Sequence, residues 1–230
     1  MLIKEVLMIV EDVARYLSSG RVLDLSRKVT PGGADGPLGA TKRRYEIKAF
    51  THPPGELMRY IDMESHISTH VEAPSHLFGE SAHDITEVAL SKFFGMAVLV
   101  DCKDFAPKTP IVPEILKRFP IQENDIVLIG RCPHGGQDRS YMVKEGAEYL
   151  LAKKIKMIGF DDSVYPENPK SILKDLKAYF THNLISYEIP IIEMLTNLEE
   201  LKSPRFLFFG FPAKMGGLEA FPIRAVAIEF

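Results

Sequence analysis

Along residues 61–76 the chain alternates. The even positions Asp62, Glu64, His66, Ser68, His70 and Glu72 are polar, while the odd positions Ile61, Met63, Ile67, Thr69, Val71 and Ala73 are mostly apolar. A period of two predicts an extended strand with one polar face. A helix would also bring His66 and His70 together, but Pro74 would remove the bond to the carbonyl of His70 and push Ala73 out of helical geometry. Other periods hold elsewhere. Leu2, Val6, Ile9, Val13 and Leu17 recur at helical spacing before Ser18-Ser19-Gly20, which predicts an amphipathic N-terminal helix over residues 1–20, serving packing or an oligomer contact. Residues 21–26 and 44–50 read as strands, separated by a Gly- and Pro-rich loop, Thr30 to Gly39, of a length that often covers sites. His52 sits in turn chemistry and reads as a surface residue. Gly79 to Asp84 reads as a loop, and residues 85–94 as a short helical stretch.

From Met96 onward strands and helices alternate. Strands at 97–102, 125–131 and 156–160 are separated by helical patterns at 113–118, 144–154 and 171–187, and strands at 189–195, 205–211 and 225–230 close the chain. Such βαβ order argues for an α/β fold with a mixed, partly parallel sheet in a single domain spanning 1–230. Loops after the carboxyl ends of parallel strands are where sites are built. Two qualify: residues 131–136, explained equally by a Pro-Gly turn, and Asp161-Asp162-Ser163, whose acids would also serve to cap or to accept loop amide protons.

Composition narrows the function classes. With 230 residues, 46% of them apolar, the chain fills one full-sized core, and its net charge of −3 comes without a Lys/Arg stripe. Nothing electrostatic therefore calls for nucleic acid or an anionic membrane; the expected partner is a small-molecule substrate. Cys102 and Cys132 form no C-x-x-C pair, so they read as reduced, mostly buried thiols. The apolar run 6–10 is short and bracketed by acids, unlike a signal peptide or a span, and a cytoplasmic location is expected.

The chemistry concentrates on the alternating segment. His66, His70 and Glu72 would point one way, with small Ser68 leaving a gap for an ion. Two imidazoles and a carboxylate are an ordinary ligand set for Zn²⁺, acceptable also to Mn²⁺ or Fe²⁺. A solvated polar face is the plainer alternative. His83, in a loop, is most simply solvated, and His182, at the end of a helical pattern, most simply packed or solvated. Glu193 interrupts the apolar run 189–195, and an acid there must be paired or bind a cation. With no Gly-x-Ser-x-Gly anywhere, water is the expected nucleophile. Beyond Pro74, His76 could carry protons, act as a further ligand, or only pack.

At His66-Ile67-Ser68-Thr69-His70-Val71-Glu72-Ala73-Pro74-Ser75-His76 the sequence resembles the metal-dependent cyclase-like hydrolases, the family of bacterial kynurenine formamidase and isatin hydrolase, whose pattern is His-x-Gly-Thr-His-x-Asp-x-Pro-x-His. The similarity continues through Asp24-Leu25-Ser26, Ile158-Gly159-Phe160-Asp161, Glu193 to Leu198 and Pro222 to Ala227. The resemblance implies a swivelling β/β/α-type fold and a homodimer or homotetramer. It implies that His66, His70 and Glu72 hold a divalent metal, Zn²⁺ foremost and Mn²⁺ next, as one or two ions. His182 and Glu193 would complete that site and His76 would take part in proton transfer. The implied activity is hydrolysis of a small amide, an N-formyl-aryl amine or a cyclic amide. A non-catalytic metal or small-ligand binding protein on the same scaffold is the alternative, favoured by two departures, Ser68 for glycine and Glu72 for aspartate. The longer Glu72 carboxylate suits chelation of one ion over bridging of two. The loops at Thr30–Gly39 and Gly216-Gly217-Leu218 are expected to reach the substrate.

Overall fold

The structure, a computed structural model, describes residues 2–32, 44–169 and 181–230, and of residues 2–10 and 185 the backbone alone. In chain order the elements are α1 (Leu2–Ser19), β1 (Arg21–Asp24), β2 (Tyr45–His52), β3 (Glu56–Met63), β4 (His70–Glu72), α2 (Ser75–Phe78), β5 (Phe94–Asp101), β6 (Pro110–Ile111), α3 (Pro113–Leu116), β7 (Ile126–Gly130), β8 (Ser140–Met142), α4 (Lys144–Ala152), β9 (Met157–Asp161), β10 (Val164–Tyr165), β11 (Ile191–Leu195), β12 (Arg205–Phe209), β13 (Ala220–Pro222) and β14 (Val226–Glu229).

Nine strands form one mixed sheet in the order β1-β14-β12-β5-β7-β9-β11-β4-β13. Its middle, β5-β7-β9-β11, is parallel, and antiparallel strands flank it on both sides. Both faces of the middle are covered, which is why these strands carry near-continuous apolar runs instead of alternating. Ala97, Leu99, Ile126, Leu128, Met157 and Ile192 face one cluster with Phe206 and Phe208. Val98, Val100, Val127, Ile129, Ile158 and Phe160 face the other, beneath Leu116 of α3 and Ala147 and Leu150 of α4. Each such Val, Leu, Ile, Met or Phe side chain contributes about 1.5–3 kcal/mol by leaving water. Gly159 lets β9 fit: a Cβ there would meet Leu128 and Leu195 side chains at 2.9 Å.

The expected α/β fold with a mixed, partly parallel sheet is what the chain forms. The alternating segment is where sequence and structure part. The predicted continuous strand ends at Met63, whose strand pairs only with β2 in a separate two-stranded sheet, and resumes as β4 in the main sheet. Between them Ser68 takes a left-handed φ of 59°. Such a conformation breaks a strand, and the polar alternation across residues 64–69 belongs to a turn. Thr69 anchors that turn: its Oγ1 donates to the Met194 carbonyl at 2.6 Å and accepts from the Arg27 amide at 2.9 Å.

Smaller corrections follow the same logic. Residues 85–94, expected as helix, contain only turns and a 3₁₀ segment, Leu90–Phe93. His52 ends β2 and is exposed there. Of the helix expected at 171–187, residues 171–180 lie outside the described residues and His182–Tyr187 is 3₁₀. The greater part of the 30–39 loop, residues 33–39, is likewise outside them. Among the described residues no helix is long and apolar enough to cross a membrane.

Candidate metal centre

β4 is sandwiched between β11 and β13, and its register sets the site. Glu193 of β11 and Pro222 of β13 flank His70, while Ile191 and Ala220 flank Glu72. Two residues apart on one strand, His70 and Glu72 share a face, and both are buried, at 1% and 2% exposure. His66 reaches them from the turn. Its Nδ1 lies 3.1 Å from Glu72 Oε1 and 3.2 Å from His70 Nε2. From the far side His182 brings Nε2 to 3.4 Å from Glu72 Oε2 and 3.7 Å from Glu193 Oε1. His76, on α2, places Nε2 3.8 Å from Glu72 Oε1. All six residues named from the sequence therefore meet around one carboxylate, although His66 arrives by a turn and not along a strand face. A register shift between Ile192 and Leu195 interrupts β11 just where Glu193 stands. That bulge is a local device for re-aiming a side chain.

The outer nitrogens decide what the inner ones can do. His70 Nδ1 sits 2.8 Å from the Ser68 carbonyl oxygen, which can only accept. His182 Nδ1 lies 3.0 Å from Glu167 Oε1, and the same oxygen takes the His182 backbone N–H at 2.8 Å. His66 Nε2 lies 3.2 Å from Glu219 Oε1, which also accepts from Ser65 Oγ. With its outer nitrogen set against a fixed acceptor, each imidazole turns its other nitrogen toward Glu72, the arrangement that orients histidine for a metal.

Ligand atoms held at about 2.0–2.1 Å around one tetrahedral ion stand roughly 3.4 Å apart, and the separations above, 3.1 to 3.8 Å, bracket that value. Two triads, His66-Glu72-His76 and His70-Glu72-Glu193, keep their ligand atoms within 4.8 Å of one another and share Glu72. Glu72 Oε2 is buried without a hydrogen-bond partner, a costly state for a carboxylate oxygen unless a cation meets it. The residues present fit a divalent ion.

Electrostatics point the same way. Burial works to raise Glu72, but hydrogen bonds from His66 and His70 and the charges of His182 and His76 hold it well below the usual carboxylate range. Burial opposes charge on His70 and His182 too, yet Glu72 outweighs it at His70, and Glu167 and Glu193 carry His182 well above the ordinary imidazole value. The cluster demands positive charge at its centre. His76 runs opposite: burial lowers it, with His66 and His182 adding to the fall against the pull of Glu72. It is neutral near pH 7 and free to accept a proton.

Glu167 and Glu219 escaped the sequence reading. Glu167 lies in Tyr165-Pro166-Glu167-Asn168-Pro169, a proline turn where an acid looks solvated, yet it is 1% exposed. Glu219 follows the Gly216-Gly217-Leu218 loop already singled out. It lines a cavity of about 490 Å³ with Ser75, Glu80, Asp84 and Glu87. Other candidates fall outside the centre. His83 pairs with Glu188 at 3.1 Å near the surface. Asp161 accepts the Arg131 and Ser163 amides, and Cys132 N–H donates to Ser163 Oγ, so these two loops brace each other.

The chain and its fold have counterparts among known proteins. Kynurenine formamidase of Bacillus thuringiensis is 24% identical over 211 residues, 89% of this chain and 95% of its own. Isatin hydrolase A from Labrenzia aggregata, solved bound to benzyl benzoate, superposes with a TM-score of 0.78 at 19% identity, over 96% of this chain and 98% of that one. A structure described as a potential metal-dependent hydrolase with cyclase activity gives 0.72 at 23% identity, covering 92% and 99%. These likenesses establish a shared fold. The family model described as "Putative cyclase" matches residues 23–164, from β1 through the His66–His76 motif to β10. By that match, over more than half its length, the chain belongs to the cyclase family.

Proposed function

We propose that the protein is a metal-dependent hydrolase of a small amide, an N-formyl-aryl amine or a cyclic amide. The observation that carries the reading is the trio His66, His70 and His182, each tied outward to an acceptor and turned inward to buried Glu72. With Glu193 these residues would hold the ion, Zn²⁺ foremost by ligand type and Mn²⁺ next. Bound there, a divalent ion supplies Lewis acidity, bringing the pKa of water to roughly 7 and polarising a carbonyl.

The chain's own residues do the rest. Neutral His76 takes a proton from the attacking water at Nε2, the nitrogen facing the centre, and returns it to the departing nitrogen. The cavity lined by Glu80, Asp84, Glu87 and Glu219 offers acceptors to an N–H of the substrate. Activity of the kynurenine formamidase and isatin hydrolase relatives on amides supports the reaction class. Metal analysis followed by turnover assays on N-formyl-aryl amines, isatin-like lactams and simple lactones tests the proposal. Hydrolysis confined to the lactones would overturn the amide assignment, and stoichiometric metal with no turnover on any would make the protein a binder.

A further inference from the structure

Arg139 stands in the chain between the loop after β7 and the start of β8, and only 9% of its surface is exposed. Its Nε has neither solvent nor a hydrogen-bond partner. Among the described residues its guanidinium makes no ion pair, and acids of the neighbouring loops are already engaged. Asp138 is held by Lys108 at 3.0 Å, Asp101 by Arg131 at 3.0 Å, Asp162 by Arg27, and Glu167 by His182. What Arg139 does have is the ring of Tyr165, 5.1 Å from its central carbon.

An arginine does not shed its charge. Burying that charge unpaired is costly, and the tyrosine face satisfies the cation without meeting the N–H donors in the guanidinium plane. Those donors form a fork that matches two coplanar oxygens. We propose that Arg139 and Tyr165 form an anion-recognition site that takes a carboxylate. Its surroundings hold the pair in place and leave open space along the adjoining loop. A Cβ added at Gly135 or Gly136 would meet nothing within 4 Å, so the adjoining loop is open, and Tyr165 Oη donates to the Gly136 carbonyl at 3.0 Å, tying that loop to the pair. Parallel pairing of Val164 with Ser140 fixes β10 beside Arg139. Two residues beyond Tyr165, Glu167 grips His182, so the chain after β10 connects the pair to the metal centre.

The carboxylate has two sources, a substituent of the substrate or a free small acid, and the first rests on the hydrolase reading. Calorimetry on the full chain with sodium acetate and benzoate, against chloride at equal ionic strength, reads the site itself. The affinity falls by at least about tenfold in Arg139→Met, which keeps volume and removes the charge, and in Arg139→Lys, which keeps the charge and loses the fork. Wild-type isotherms without carboxylate binding, or binding undiminished in both variants, overturn the site. A second arm compares kcat/KM for a carboxylate-bearing formanilide and its methyl ester. A fall of about tenfold or more in that ratio in Arg139→Met assigns the carboxylate to the substrate, and an unchanged ratio alongside lost acetate binding assigns it to a free acid. If neither compound is turned over, the hydrolase reading fails while the acetate arm still decides Arg139.

Discussion

Replacing Glu167 by Gln keeps the shape of the side chain and removes its charge. In the wild type one oxygen of Glu167 takes both the backbone N–H and the Nδ1–H of His182, at 2.8 and 3.0 Å, in a site with 1% exposure. No water can stand in for what is lost. Glu219 makes the comparison, since it does the same for His66 at 3.2 Å, yet its side chain is 36% exposed and also accepts from Ser65. Loss of such an outer partner costs about 10–100-fold in metal affinity, or roughly 1.4–2.7 kcal/mol. Burial places Glu167→Gln at the upper end, near 100-fold, and hydration places Glu219→Gln at the lower, near tenfold. Competition against a chromophoric chelator measures both, with melting curves to verify the fold. A Glu219→Gln loss equal to or larger than that of Glu167→Gln, or no loss in either, would refute the idea that these acids set the imidazoles for an ion.

Four further outcomes follow from the same structure. His76→Ala keeps its metal and loses on the order of 10²-fold in kcat, checked by elemental analysis beside turnover; metal lost with activity would make His76 a ligand. Ser68→Gly relieves a left-handed residue and gives up the bond from Ser68 Oγ to the Arg27 carbonyl, so its melting free energy stays within about 1 kcal/mol of wild type, whereas β-branched Ser68→Val falls by about 2 kcal/mol or more. Gly159→Ala overpacks Leu128 and Leu195 and costs about 1–3 kcal/mol in denaturant unfolding. Asp24 lies below its ordinary pKa because Arg224 and Ser26 outweigh the upward push of burial, so its contribution is present above about pH 4 and fades as pH falls through the lowered folded value. Half-exposed and screened, it is worth under about 1 kcal/mol, and the stability gap between wild type and Asp24→Asn should close in acid.

The parallel middle of the sheet was legible because burial on both faces leaves its mark in uninterrupted apolar runs such as Ile126-Val127-Leu128-Ile129. Much of the centre was legible too, since His66, His70, Glu72 and His76 fall in one short segment and Glu193 is an acid in an apolar strand. The path of the chain between them was not. Alternation at 61–72 continues across Ser68 as though the strand were unbroken, and only the glycine that the resembling family carries there hints at a left-handed residue. Glu167 and Glu219 were hidden because their role is tertiary: each acts by meeting a histidine from another part of the chain, and no local spacing encodes that.

If this cluster holds a divalent ion and uses it to hydrolyse an amide, activity must follow the ion. Elemental analysis of the purified chain, with release of formate and amine from an N-formyl-aryl amine before and after chelation, tests it most directly. At least one divalent ion per chain is expected, with hydrolysis lost on chelation and restored when the ion is returned. A chain that binds no ion, or whose hydrolysis persists unchanged once the ion is stripped, would contradict it.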